Sequence, residues 1–412
     1  FPSGILLLMW LLWLIACTPD KVDDGFDADT GLLGVDDTSV VDDQGLWSPL
    51  EETAAWVSNV DGYGTGGGFA DIDGDGDPDL VVAHGNDMVP GHIVVYENEG
   101  GILNPEPVWR NRDPAYYGHL SLGDVNNDGW IDLVVSRFLG EDRFDSPGGV
   151  ELYLNQGGVL EDVPFWEVSG FFTFSVSLGD MDKDGWLDLG VAVGESYENG
   201  PDNARVFAND GTGAFGASPV WVAPEPSYSF DVIWADFDGD DWLDLALAQQ
   251  QSGHIVYRNE SGMLSDVPHW QASEEDGPYE GNTLDVGDVN QDGHLDLVVS
   301  DNDQQGGVGM VRLWCGPGLE LCWSATQSYA SAVSLHDWDG DGDLDLAYGG
   351  WWSPVQIAVN EDGLLSAEPG WTSTKDDIVV EALCWADVDG LPGEELLVTD
   401  WTADAGNRLW GR

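Results

Sequence analysis

Positive charge is almost missing from this 412-residue chain. Twelve Lys plus Arg stand against 77 Asp plus Glu, a formal charge of −65. A nucleic-acid binder needs a cationic surface to displace counterions, and these residues cannot build one. Long apolar runs are equally scarce. One occurs, ILLLMWLLWLIA at residues 5–16, and twelve residues are too few to span a bilayer as a helix. A polytopic helical membrane protein is therefore excluded. Motif-borne chemistry is missing too: there is no H-E-x-x-H, no G-x-S-x-G and no phosphate-binding loop. The seven His do not converge in sequence. What is abundant is apolar: 42% of residues are hydrophobic and 21 are Trp, enough for a large core and against bulk disorder.

The run at 5–16 has the length of a signal-peptide h-region. It ends in Leu14-Ile15-Ala16-Cys17, which resembles the lipobox of bacterial lipoproteins. That resemblance implies acylation of Cys17 and an exported protein of the bacterial cell envelope. Thr18, not Asp, follows the Cys, which is similar to outer-membrane sorting signals; the protein would then face the cell surface or the periplasm. No Met and no basic residue precedes the run, so the signal segment 1–16 reads as truncated. Residues 17–46 are rich in Asp, Gly and Thr without apolar period, and are expected to form a solvated, self-repelling tether.

Length alone would suggest two or three domains, but internal repetition overrides that. One acidic core recurs seven times: ADIDGDGDPDL (70–80), GDVNNDGWIDL (123–133), GDMDKDGWLDL (179–189), ADFDGDDWLDL (235–245), GDVNQDGHLDL (287–297), HDWDGDGDLDL (336–346) and ADVDGLPGEEL (386–396). Each precedes a β-rich run, and most repeats then show a second run ending in an Asn-Gly-type turn. A Trp follows at nearly fixed distance before the next core: Trp109, Trp166, Trp221, Trp270, Trp323 and Trp371. The last repeat has no such Trp, but Trp56 stands at the matching distance before the first core. This arithmetic predicts an all-β, seven-bladed β-propeller of four-stranded blades over residues 47–412. The segment around Trp56 should supply the outer strand of the last blade and close the ring.

The cores carry an oxygen-ligand pattern. Counting from the first Asp, positions 1, 3, 5 and 9 are Asp71, Asp73, Asp75 and Asp79; Asp124, Asn126, Asp128 and Asp132; Asp180, Asp182, Asp184 and Asp188; Asp236, Asp238, Asp240 and Asp244; Asp288, Asn290, Asp292 and Asp296; Asp337, Asp339, Asp341 and Asp345. Position 6 is Gly in five of these six, as a sharp turn requires, and Asp241 in the fourth. Position 7 varies freely, as expected if only its backbone carbonyl is a ligand. Several carboxylates at this spacing select Ca²⁺ over transition metals. An EF-hand is excluded because position 12 is Val82 or its equivalent, inside a strand. Twenty-two carboxylates packed at these positions would repel one another without a cation. The seventh loop keeps Asp387 and Asp389, but Leu391 and Pro392 replace positions 5 and 6 and Glu395 replaces position 9. Six Ca²⁺ sites are expected and the seventh is left open.

These D-x-[DN]-x-D-G-x-x-D-L cores resemble FG-GAP/VCBS repeats, similar to the N-terminal propeller of integrin alpha chains. The resemblance implies Ca²⁺ loops on the lower face, ligands on the opposite face, and extracellular binding or adhesion more often than catalysis. The expected partner is an extracellular protein or glycan. Membrane contact is expected only through the lipid anchor, and the body is expected to be a monomer. The alternative is an exported carbohydrate-active enzyme, a lyase or hydrolase, on the same scaffold; no residue is singled out as catalytic. Upper-face loops offer Tyr116, Tyr117, Arg137, Tyr197, Tyr228, Tyr279, Trp351 and Trp352 as ligand-binding candidates. Cys315 and Cys322 flank a turn and are expected to pair in an exported protein. Cys384 is read as a buried thiol.

Overall fold

The computed structural model describes residues 50–411, apart from 52, 60, 61, 86, 195–197, 304–307, 375–377 and 403–405. The apolar run, Cys17, the acidic tether and Tyr197 lie outside the described residues. Among the described residues there is no helix. Seven four-stranded antiparallel sheets are arranged as a β-propeller.

Each blade is built the same way, and blade 1 serves as the example. Its innermost strand is Gly64–Ala70, followed by Asp79–Gly85, Pro90–Tyr96 and the short outer strand Trp109–Arg110. The second strand is buried along its whole length, here and at Asp244–Gln250 and Asp296–Asp301. That is why these runs are continuously apolar rather than alternating. The innermost strands form a ring in which each packs on the next. Val380–Ala386 of blade 7 packs back on Gly64–Ala70 of blade 1. Blade 7 draws its outer strand from the other end of the chain: Trp56 pairs with Leu409 and Val57 with Arg408.

Apolar clusters fill all seven seams between neighbouring blades. The repeating Trp contributes there. Trp109 meets Tyr153 edge-to-face at 6.2 Å, Trp166 meets Phe207 at 6.1 Å, and Trp221 meets Tyr257 at 4.9 Å, each pair spanning two blades. Trp56 makes the corresponding contact with Tyr96 of blade 1, at 5.3 Å. Such edge-to-face pairs add about 0.5–1.5 kcal/mol each beyond burial of area. Cys384 is buried at the seam of blades 7 and 1. Cys315 and Cys322 form a disulfide across the hairpin of blade 5, with Cα atoms 5.8 Å apart.

Candidate metal centres

The acidic core is the turn between the innermost and second strands. In every blade the residue just before the first Asp pairs with position 9: Ala70 with Asp79, Gly123 with Asp132, Gly179 with Asp188, and likewise onward to Ala386 with Glu395. Position 9 therefore begins a buried strand, and its carboxylate is pulled under the loop. Asp79, Asp132, Asp188, Asp244, Asp296 and Asp345 are each no more than 2% exposed.

Backbone N–H groups organise the carboxylates. Position 9 accepts the N–H of position 2 in all seven loops, from Ile72 to Asp79 at 3.1 Å through to Val388 to Glu395 at 2.7 Å. In the first six loops position 1 accepts the N–H of position 6. Position 5 accepts the N–H of position 7. The turn at position 6 has φ of 100° at Gly76 and 69° at Asp241, the left-handed region expected there.

Position 4 is left-handed as well, in all seven loops, including Asn127 (φ 55°), Lys183 (φ 59°) and Gln291 (φ 57°). This was not visible as a motif, because Gly, Asn, Lys and Gln share no chemistry. Position 7 also does more than offer a carbonyl. The Lys183 ammonium lies 4.4 Å from the ring centroid of Trp242, position 7 of the next loop. A Cβ on Gly74 would come within 2.6 Å of Trp130. Gln291 bonds to Asp343. Neighbouring loops are thus linked around the lower face, position 4 to position 7.

The oxygens converge. Asp71, Asp73 and Asp75 place carboxylate oxygens within 4.8 Å of one another; so do Asp180, Asp182 and Asp188; Asp236, Asp238 and Asp244; Asp337, Asp339 and Asp345. Asp387, Asp389 and Glu395 do the same, so the longer Glu at position 9 restores a cluster in the loop left open by the sequence. Loops 2 and 5, which carry Asn126 and Asn290 at position 3, show no such cluster of three acids among the described residues. Burial and neighbouring carboxylates push the position-9 acids up: Asp79, Asp244 and Asp296 to about 6, Asp132, Asp188, Asp345 and Glu395 to about 7. Burial likewise raises Asp73, Asp180 and Asp339. Such acids resist ionising together unless a cation joins them. An all-oxygen donor set of three carboxylates fits a hard divalent ion. In loop 4 the Arg258 guanidinium already pairs with Asp238.

One set of residues that holds these loops escaped the sequence reading. The Asn of the Asn-Gly-type turn is a strap between blades. Asn155 is fully buried; its Nδ2 donates to the position-2 carbonyl of Ile72 in blade 1 at 2.7 Å and to Ile131. Asn98 reaches Val388, Asn209 reaches Val125, Asn259 reaches Met181 and Asn360 reaches Val289 in the same way. The signal was the Asn in NEGG, NQGG, NDGTG, NESG and NEDG, read only as turn punctuation.

The opposite-face candidates do not form one surface. Tyr117 and Tyr279 are 2% and 5% exposed, so they are core rings rather than the surface platforms expected. Tyr117 bonds to Asn111 and Glu151, and Arg137 is ion-paired with Glu151 at 2.8 Å. Tyr116 and Tyr228 are half-buried. Trp351 and Trp352 do meet, with centroids 5.9 Å apart, and they join rings not foreseen: Trp351 stacks on Trp401 at 5.4 Å and on Tyr329 at 6.1 Å. A central channel of about 1170 Å³ is lined by the innermost strands, among them His119, Ser175 and Asp231, and by loop residues such as Asp288 and Asp337. It therefore reaches the acidic-loop face.

An FG-GAP-like repeat family model matches residues 71–135, 124–191, 180–247 and 236–299, together more than half of the chain. Integrin alpha-7 of Mus musculus is 34% identical over 131 residues, 30% of this chain and 11% of the integrin. Integrin alpha-3 of Cricetulus griseus is 38% identical over 115 residues, 26% of this chain and 11% of its own length. The match thus spans about a tenth of these relatives. Among solved structures, BBS1N in complex with ARL6DN superposes with a TM-score of 0.55 at 13% identity, over 89% of this chain and 97% of that chain. At that identity the likeness concerns the fold alone.

Proposed function

Because the chain belongs to the FG-GAP-like repeat family, we propose that it is an exported, Ca²⁺-stabilised propeller that binds an extracellular protein or glycan and is anchored through Cys17 in the bacterial cell envelope. The carrying observation is the carboxylate clusters in five of the seven loops, tied by backbone N–H groups. Positions 1, 3, 5 and 9 would hold the ion. The ion supplies positive charge where buried acids crowd; the chain's own residues set the turn and couple it to the neighbouring blade. The Tyr329–Trp351–Trp401 stack with exposed Trp352 is the strongest aromatic surface on the opposite face, and the glycan or peptide reading rests there. In the channel the Ser175 hydroxyl donates to Asp231, which also faces His119; binding is favoured over catalysis on the likeness to integrin alpha chains.

Thermal unfolding in EDTA and then in millimolar Ca²⁺ tests the metal reading. A cation that binds only the folded state stabilises it by RT ln(1 + [L]/Kd) at each site. A large rise specific to Ca²⁺ supports the proposal; an unchanged melting curve refutes it.

A further inference from the structure

The acidic-loop face carries a second repeating feature that neither the fold nor cation binding requires. After the strap Asn of blades 1, 2, 4 and 6 the hairpin tip ends in two apolar residues, the second buried or half-buried; in blade 3 the first of the two is the half-buried Ala214. The second is core: Leu103, Leu160 and Leu264 are 3–4% exposed. The first is not. Ile102, Val159, Met263 and Leu364 are 73%, 61%, 69% and 76% exposed. A polar residue at such a tip would cost the fold nothing. These tips lie beside the acidic loops of the preceding blade, because Gly101 packs on Asp389, Gly158 on Asp73, Gly262 on Asp182 and Gly363 on Asn290. Nearer the centre, Leu391 replaces the position-5 ligand of the seventh loop and is 63% exposed. Apolar knobs thus stand around and within the acidic face.

The path of the chain says what covers them. The described body begins at Leu50, on the same face: the N–H of Glu51 bonds to the carbonyl of Gly411, and Gly411 packs on Glu395 of the seventh loop. Upstream stand Cys17 and the apolar run 5–16. The intervening residues enter the described body at Leu50, on this face. The tether to a membrane holding that run, or to an acyl chain on Cys17, therefore leaves the body from the acidic face. We propose that this face rests on the lipid surface to which the chain is tethered, with Ile102, Val159, Met263, Leu364 and Leu391 entering the headgroup region. The inference rests on the proposed cation loading and anchoring, since the bare carboxylates would repel lipid phosphates. It goes beyond them in turning the Tyr329–Trp351 face outward.

The test uses the full chain with Cys17→Ala and a spin label at Ile102→Cys, or at Val308→Cys in an exposed loop of the opposite face as control. Cys384 is buried and Cys315–Cys322 is oxidised, so neither takes the label. Protein floated with vesicles of phosphatidylethanolamine and phosphatidylglycerol is measured for collision with oxygen and with a water-soluble nickel chelate. In Ca²⁺ the label at 102 should gain oxygen contact and lose nickel contact, while the label at 308 stays aqueous. A triple change, Val159→Ser, Met263→Ser and Leu364→Ser, should return the label at 102 to water. An aqueous label at 102 on vesicle-bound protein overturns the inference. Protection at 102 without vesicles also overturns it, and assigns the face to a second copy of the chain. The melting shift with Ca²⁺ is read on the same samples. If it is present while the label stays aqueous, only this inference fails; if it is absent, the cation reading fails first.

Discussion

Changing Asp184 to Asn separates a metal site from a mere acidic turn. Asp184 is position 5 of the third loop, and its Oδ1 accepts the N–H of Trp186 at 2.9 Å. Asn keeps that acceptor and removes one charge from a group that includes Asp180, Asp182 and Asp188. With Ca²⁺ at 100 times Kd, one site contributes about 2.7 kcal/mol. Unfolding some 360 residues releases about 2.1 cal/mol/K each, or about 0.8 kcal/mol/K in all, so losing one site lowers the melting temperature by about 3–4 °C. In EDTA the sign should disappear or reverse, because the variant relieves like-charge repulsion that the wild type retains. Differential scanning calorimetry at pH 7.5 with EDTA and with a Ca²⁺ series reads both arms. An equal deficit in EDTA and in Ca²⁺ would show that Asp184 serves the turn alone, and would refute cation binding at this loop.

Four further outcomes follow from particular contacts. Asn155→Ala removes two donated bonds and leaves buried carbonyls of Ile72 and Ile131 short of a partner; chemical denaturation should show a loss of about 2–4 kcal/mol, whereas a loss under 0.5 kcal/mol would reject the strap. Glu381 is buried, accepts the Trp351 indole N–H at 2.8 Å, and is pushed up by burial to about 8. A carboxyl raised in the folded state stabilises most at low pH, so stability should fall as pH rises from about 4.5 to 8; Glu381→Gln should flatten that slope in melting curves across pH, and an unchanged slope rejects the assignment. Deleting residues 46–58 removes the Trp56 pairing with Leu409 and the Leu50 carbonyl that accepts the Trp371 indole N–H; a melting curve like that of the whole chain would show that this strand is not needed to close the ring. Reducing Cys315–Cys322 opens a short loop and should cost about 2 kcal/mol by chain entropy; thermal unfolding with and without reductant, against Cys315→Ala/Cys322→Ala, measures it.

The blades were legible in the sequence because each rests on period and spacing. A strand buried on both faces writes itself as LVVA or LALA, and a turn that must hold carboxylates repeats them at fixed positions. The Trp series was legible for the same reason: one large ring per seam leaves a constant interval. What was hidden depends on contacts between repeats. Asn155 and Ile72 are 83 residues apart in the chain, and nothing local distinguishes a strap from a turn residue. Position 4 was hidden because a left-handed backbone accepts Gly, Asn, Lys or Gln. Tyr117 and Tyr279 misled because loop length places a residue near the rim without saying which way its ring turns. The seventh loop was left open because residue types were matched one by one, whereas the longer Glu395 meets Asp387 and Asp389 in one cluster.

Straps and loops act on one shared residue. The N–H of position 2 is held by the position-9 carboxylate of its own blade, and the position-2 carbonyl is held by the Asn of the next. Whatever orders the loop therefore stiffens the seam, and a cation at the carboxylates would act on two blades at once. Blade 5 breaks this rule. Gly316 stands where blades 1–4 and 6 have Asn; its N–H still bonds to Asp296, but it has no side chain to reach back to Phe237 of blade 4. In place of a strap, Leu319 is buried between blades 4 and 5, and its carbonyl accepts the Trp270 indole N–H at 3.0 Å. The Cys315–Cys322 bridge holds the hairpin that presents Leu319. The disulfide is thus local compensation at the one described seam where Gly replaces the Asn. It follows that reduction should raise hydrogen exchange at the seam of blades 4 and 5 while leaving the Asn-strapped seams protected. Exchange rising evenly around the ring would instead mean that the bridge stabilises the propeller as a whole.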